Sequence, residues 1–512
     1  YVKVKFMKIS DLPIHIFLFS IIPLFLLYAE NVDEIPAGDI ILPTIISFFV
    51  IAIAWFFLKY IIGNQKSALI LSSILAVWII LCQIRIIFVF EEYEGLEFIG
   101  SNKILIPLFL VIIVPLIIFI KKRTISKDAT SIVNVISIVI VSFLIFQVIN
   151  FDAKEDFDIE VMRDSLRVPI LHSDVEDKPD VYLILLDAYS GDITLERDYN
   201  FDNSKFKNEL RERGFFVQKP SYSNYPNTEA AIPSIMNMMY LDSINETVGK
   251  NSNDKKILIE LIEGNSVMDI FHENGYHITN FYGGAKSSPS SNNEYEIVCG
   301  RGLLNMNEDL QRSIVETYFS VAFLRHMLYD DLRYHDLECI ISNMLEFEKK
   351  YDKPQYIHSH LFLPHPPFLY DANGDRASPT YSTDRFDENL RDAYLEQTLF
   401  ANKIALEMID SIQKRNDNAV IIVMSDHGGR LGIDWYNPTE MDYYRGFNNL
   451  SAFYFPGHED EIPEKVATVN TFRVFFNTYF NADYEILEDR QMWYIPERPY
   501  DQIDVSEKLL KN

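Results

Sequence analysis

Three apolar runs in this 512-residue chain end in residues able to bind a metal or move a proton. Val181–Leu186 ends at Asp187. Gln355–Leu363 carries His358 and His360 and runs into His365. Ala419–Met424 ends at Ser425, Asp426 and His427. Unbroken Val, Ile and Leu suit strands buried on both faces of a parallel sheet. In open α/β sheets ligands bind beyond the carboxyl ends of the strands, so three such ends predict one shared site. Two Asp and a His are suitable ligands for Zn²⁺ or Mn²⁺.

A fourth element runs from Asn224 to Ser234, from a polar loop into an apolar helix. Thr228 falls at the helix start. One role there is an N-cap, which Asn227 fills equally well. The other is a nucleophile, because a hydroxyl at a helix N-terminus meets a phosphate where backbone N–H groups and the dipole favour an anion.

These residues need a scaffold. A weaker strand is predicted at His277–Tyr282, and helical patterns at about 203–213, 229–240, 256–274, 314–348 and 388–414. Strands alternating with helices predict an α/β domain, a mostly parallel sheet between helices. Residues 151–179 are polar and read as a juxtamembrane linker.

The first 150 residues are different in kind. Apolar stretches at roughly 12–29, 41–62, 68–90, 104–120 and 131–149 each have the length that crosses about 30 Å of hydrocarbon. This predicts a five-helix transmembrane domain over 1–150. Lys3, Lys5, Lys8, Lys59, Lys66, Lys121, Lys122, Arg123 and Lys127 fall in alternate loops. The other loops hold Glu30, Asp33, Glu34, Asp39, Glu91, Glu92, Glu94 and Glu97, with Lys103 the exception. The basic loops belong inside, so residues from 151 onward are expected outside the cytoplasm. Arg85, within the third span, is either functional or snorkels to the acidic loop.

Charge follows the same division. Residues 1–150 hold 11 basic and 10 acidic residues, leaving 35 and 63 on 151–512. An overall net charge of -27 excludes nucleic acid as a main partner. Three cysteines exclude a disulfide-dense scaffold and a Cys-based zinc finger. Cys299 and Cys339 either pair outside the cell or remain buried free thiols.

Leu185-Leu186-Asp187, Asn227-Thr228, His360 with Pro364-His365-Pro366-Pro367-Phe368, and Ser425-Asp426-His427-Gly428 occur in that order. Together with Val469-Asn470-Thr471-Phe472-Arg473 they resemble the alkaline phosphatase superfamily in its sulfatase-like branch. The resemblance covers about 180–490, leaving 491–512 as a C-terminal tail. Spans followed by an outside catalytic domain resemble lipoteichoic acid synthase and the lipid A phosphoethanolamine transferases. The resemblance implies one divalent metal ion, Zn or Mn first and Mg or Ca as alternatives. Its ligands would be Asp187, Thr228, Asp426 and His427, with Thr228 also the nucleophile. His365 and His360 would touch the substrate phosphate or leaving group. Asp187 stands where the named transferases carry Glu. Glu229-Ala230-Ala231-Ile232 after Thr228 departs from the sulfatase Cys/Ser-x-Pro-x-Arg pattern, so no formylglycine forms. A second metal would need further ligands. Asp331 and His335 have a suitable spacing, which an exposed helix face also explains.

The expectation is a membrane-anchored, metal-dependent enzyme acting outside the cytoplasm through a phospho-threonine. It would transfer a phosphoester group from a phospholipid or lipid-linked donor to a cell-surface glycan or lipid. The alternatives are hydrolysis with water as acceptor and a non-catalytic envelope-assembly protein.

Overall fold

A computed structural model of the chain describes residues 12–31, 37–87, 97–125, 127–154, 159–253, 255–282, 295–299, 314, 317–318, 331–349, 352–380 and 388–509. Two compact units result, one of residues 1–157 with 301–332, the other of 158–300 with 333–512. Lys3, Lys5, Lys8, Asp33, Glu34, Glu91, Glu92 and Glu94, which carry much of the orientation reading, lie outside the described residues.

The first unit contains α1 (His15–Glu30), α2 (Ile41–Ile62), α3 (Asn64–Arg85), α4 (Asn102–Lys122) and α5 (Lys127–Lys154). Among the described residues, four stretches are long and apolar enough to cross a bilayer: Gly38–Ile62, Asn64–Arg85, Asn102–Lys122 and Asp128–Ile149. The stretch expected at 12–29 forms a shorter apolar helix, His15–Ala29. Pro13 disfavours helix at the residue before it, so the helix starts late. Phe49, Phe56, Phe57, Val111, Phe119, Val139 and Phe146 are exposed, as apolar side chains turned toward hydrocarbon would be. A single residue, Gly63 at φ 85°, joins α2 to α3. That left-handed backbone suits a residue without Cβ. Between helices the contacts are polar as well as apolar. The His15 backbone N–H donates to Asn134 Oδ1 at 3.0 Å, and the His15 ring bonds Ser72.

The second unit is built on β1 (Val181–Leu186), β2 (Phe216–Val217), β3 (His277–Tyr282), β4 (Tyr295–Val298), β5 (Gln355–Leu361), β8 (Val420–Met424) and β9 (Ser451–Tyr454), with β6 (Phe368–Tyr370) and β7 (Arg376–Thr380) forming a separate hairpin. The seven-stranded sheet has the order β2-β9-β8-β1-β5-β3-β4. From β8 to β4 all pairs are parallel, while β9 runs antiparallel to both β8 and β2. β1 is apolar at every position because both its faces are covered. On one face Tyr182, Ile184 and Leu186 share a core with Leu337 and Ile340 of the helix Asp331–Leu345 and Met408 and Ile412 of the helix Glu388–Arg415. On the other, Val181, Leu183 and Leu185 share a core with Ile235, Phe271 and Phe475 of the helices Thr228–Asn237, Ser266–Glu273 and Thr471–Phe480. Each such buried side chain contributes about 1.5–3 kcal/mol, so the central strands and the loops at their ends are firmly held.

The helix predicted over 256–274 is two helices, Lys256–Glu263 and Ser266–Glu273. Asn265 caps the second by accepting the Met268 N–H at 2.9 Å. Cys299 and Cys339 are joined in a disulfide, which removes the free-thiol alternative, and Cys82 is buried and unbridged.

Candidate metal centre

Leu185 of β1 lies opposite both His360 of β5 and Met424 of β8. The register therefore brings three strand ends side by side, so the loop residues after one strand meet those after its neighbours. Asp187 (1% exposed), His360, Asp426 and His427 (0% each) are sealed from solvent. Thr228 is only part-buried, on the first turn of its helix, with Asn227 at the N-cap. Asn227 makes no capping bond through its side chain.

The Thr228 hydroxyl does not cap the helix either. Its Oγ1 lies 2.9 Å from His427 Nε2. The same nitrogen is 3.5 Å from Asp187 Oδ1 and 3.3 Å from Asp426 Oδ2. His360 Nε2 is 3.4 Å from Asp187 Oδ2. Ligand atoms of Asp187, His360 and Asp426 all lie within 4.8 Å of one another.

Hydrogen bonding sets the tautomer of His427. Its Nδ1 lies 2.7 Å from the Gly428 carbonyl oxygen and donates to it, so Nε2 carries a lone pair. Asp426 Oδ1 accepts the His427 and Ala188 backbone N–H groups, at 3.0 and 3.3 Å. Asp426 Oδ2 and Asp187 Oδ1 have no hydrogen-bond partner among the described residues. Two buried acceptor oxygens thus face an imidazole lone pair and a hydroxyl. Buried acceptors of this kind are costly unless a cation joins them. Oxygen and nitrogen donors in this set fit a divalent ion of the Zn or Mn kind.

Electrostatics agree with that demand. Burial opposes ionisation of Asp187, but the neighbouring imidazoles, His365 first and then His360, hold its carboxyl well below the usual range. Burial, then the Asp187 carboxylate, push Asp426 up to about 7. Burial, then Arg430, keep His427 neutral.

Two glycines make the loop possible. A Cβ on Gly428 would stand 2.3 Å from the Arg445 carbonyl oxygen, and one on Gly429 2.5 Å from Ser190 Oγ. Ser425 Oγ accepts the Tyr189 N–H at 2.9 Å and donates to the His427 carbonyl at 2.6 Å.

His365 lies on the loop between β5 and β6. Its Nδ1 donates to the Pro366 carbonyl at 2.5 Å, and its Nε2 accepts from Arg430 Nη2 at 3.3 Å. Arg430 Nη1 also donates to Asn227 Oδ1. The guanidinium therefore links the Pro-rich loop to the residue before Thr228, a connection no sequence spacing displays. His358 alternates with His360 and so shares its face of β5. Its pKa is lowered to about 3 by burial and by His360. His335 is exposed on its helix, and the Asp331 side chain lies outside the described residues.

The sulfatase family model matches residues 179–468. Comparison with curated protein sequences gives no match. Among solved structures, the zinc complex of the C-terminal periplasmic domain of EcEptC from Escherichia coli is 11% identical with a TM-score of 0.43, covering 66% of this chain and 96% of that one. The corresponding domain of phosphoethanolamine transferase EptC from Campylobacter jejuni is 12% identical with a TM-score of 0.38, covering 64% and 98%. Phosphonate monoester hydrolase of Agrobacterium radiobacter is 12% identical with a TM-score of 0.38, covering 62% and 80%. With its model spanning the strands, the helix of Thr228 and the Asp-His-Gly turn, the chain belongs to the sulfatase family of the alkaline phosphatase superfamily, enzymes that act on sulfate or phosphate esters.

Proposed function

We propose that this chain is a metal-dependent, membrane-anchored enzyme that transfers a phosphoester group outside the cytoplasm through a phospho-threonine at Thr228. The observation that carries the reading is the 2.9 Å approach of Thr228 Oγ1 to His427 Nε2 beside the sealed cluster of Asp187, His360 and Asp426. A part-buried hydroxyl against sealed acidic and imidazole groups is where an entering ester meets a nucleophile.

Asp187, Asp426, His427 and Thr228 would hold the metal, with His360 beside Asp187 as a further donor. When bound, a divalent ion lowers the pKa of a hydroxyl and offsets charge on phosphoryl oxygens. The chain's own residues supply the rest. Thr228 Oγ1 loses its proton to water and attacks phosphorus, the bond to the leaving oxygen breaks, and that oxygen takes up a proton. The helix N-terminus beneath Thr228 favours the developing negative charge. His365 faces the leaving oxygen; its Nε2 carries the lone pair, so it must take up a proton before it can donate one. A second hydroxyl, from a glycan or lipid acceptor, then displaces Thr228. Glu229-Ala230-Ala231-Ile232 offers no formylglycine precursor, which weighs against sulfate hydrolysis.

Residues 1–150 form the membrane domain with five spans, the first being the short helix α1. Residues 151–179 are the linker, 180–490 the catalytic domain and 491–512 the tail, all outside. The Cys299–Cys339 bridge supports that side, since such bridges persist in oxidising compartments. A lipid-linked donor follows from anchoring the site to the bilayer.

Mass spectrometry of the Thr228 peptide after incubation with candidate phospholipids tests the reading. A retained phosphoryl adduct on Thr228 is expected, and its mass names the head group. Turnover with an adduct on another residue, or none, rejects the covalent step.

A further inference from the structure

Arg430 is placed unlike three other part-buried arginines of its unit. Arg445 binds Asp198 and Asp442, Arg490 binds Asp242, and Arg213 binds Asp410. The Arg430 side chain hydrogen-bonds to the Asn227 amide oxygen and the His365 imidazole. Arg473 is likewise bonded to neutral groups, the Met238 and Glu485 carbonyl oxygens, whereas the neutral partners of Arg430 stand beside the candidate metal centre. Charge removed from water without a counter-charge is unfavourable.

Its position gives the reason. The two contacts span the gap between the residue before Thr228 and the loop of His365. Arg430 follows Gly428 and Gly429, neither of which can accept a Cβ, so its backbone cannot slide away from the site. It also sits at φ 60°, sparsely allowed for a non-glycine residue. Nearby, Asp187 and Asp426 would repel an approaching anionic ester, and Arg430 acts electrostatically on Asp426 and His427.

We propose that Arg430 is an anion-binding residue of the site. Its guanidinium takes a non-bridging oxygen of the ester between Thr228 and His365, and so selects substrates that carry negative charge on the phosphoryl group. This rests on the functional reading above and narrows it to anionic phosphoesters. A guanidinium fork matches two acceptor oxygens, which an ammonium does not. Arg430 would exchange two neutral partners for one charged one, with Asn227 and His365 marking where the oxygens come to lie.

The test uses the full-length, metal-loaded chain in detergent. Inorganic phosphate affinity is measured by calorimetry for the native protein, Arg430→Gln and Arg430→Lys, alongside thermal melting and kinetics on bis(4-nitrophenyl) phosphate. Loss of one charge-assisted contact should weaken phosphate roughly 10- to 100-fold in Arg430→Gln. KM should rise in parallel, and Arg430→Lys should fall between the two. Melting temperatures should stay close, because no carboxylate partner is lost. Unchanged phosphate affinity in folded Arg430→Gln, or a large melting loss with affinity retained, would show a brace for Asn227 and overturn the proposal. If Arg430→Gln does not fold, Arg430→Lys is judged by the same two readouts. Native protein that binds phosphate but turns over no phosphodiester counts against the functional reading, and the phosphate titration still decides Arg430. Native protein that binds no phosphate overturns the assignment.

Discussion

Thr228 and His427 stand 199 residues apart in sequence, yet their Oγ1 and Nε2 atoms approach to 2.9 Å. The Gly428 carbonyl holds the proton on the far side of the ring, so the near nitrogen offers a lone pair to the hydroxyl. Neither Thr228 nor Asn227 makes a side-chain capping bond in the helix they begin. The hydroxyl is therefore committed to the site.

From this, Thr228→Ala should abolish turnover with little loss of stability, below the roughly 0.5–2 kcal/mol of a lost cap. Thr228→Ser keeps the oxygen and should retain part of the activity. Turnover and melting temperature of the three proteins check this. Full activity in folded Thr228→Ala sinks the covalent mechanism.

Asp426→Ala and His427→Ala should each lose bound metal while the domain stays folded. Both side chains are fully buried beside Asp187, and each removal deletes a donor from the sealed cluster. Metal content by mass spectrometry, with a melting curve as control, is the measurement. Unchanged metal in both variants means the ion binds elsewhere.

Gly428→Ala probes the turn instead of the ligands. The added Cβ would meet two carbonyl oxygens, of Arg445 at 2.3 Å and Asn448 at 2.9 Å. Overpacking of this kind costs roughly 1–3 kcal/mol, and relief requires the loop of Asp426 and His427 to shift. A lowered melting temperature together with reduced metal content is expected. A variant indistinguishable in both would mean the loop is looser than its packing implies.

Much of this was legible in the sequence because the site stands at strand ends. Val181–Leu186 and Val420–Met424 announce themselves as buried strands, and the residue types after them announce chemistry. Gly264-Asn265-Ser266 contains a helix stop and a cap, so the break between two helices was readable in principle. The face of His358 was readable too, from the alternation with His360. Arg430 was not. Its partners, Asn227 and His365, lie 203 and 65 residues away, and only the folded loops bring them together. Apolar length likewise fails to say where α1 begins, because a proline near its start sets that locally.

Glu263 gives a pH dependence away from the site. Burial, then the neighbouring Glu260, raise its pKa from 4.5 to about 7, against a weaker pull from Arg163. The folded state thus holds this proton more tightly than the unfolded chain. Its contribution favours folding fully below about pH 4.5 and is lost as pH rises through 7. The slope from one such group is at most about 1.4 kcal/mol per pH unit. Glu263→Gln removes the titration, so its melting temperature should gain on the native protein between pH 5 and 8. Parallel melting curves across that range would show that Glu263 titrates normally.

Basic residues cluster in alternate loops of 1–150, and residues 151–512 come after an odd number of proposed spans. A reporter fused after residue 150 should therefore be active only outside the cytoplasm. The disulfide supplies an independent readout in the native protein. Without reductant, Cys82 should be the one cysteine available to alkylation after unfolding, and reduction should expose Cys299 and Cys339 as well. An active cytoplasmic reporter, with all three cysteines alkylated before reduction, would place the site inside and remove the argument for a cell-surface acceptor.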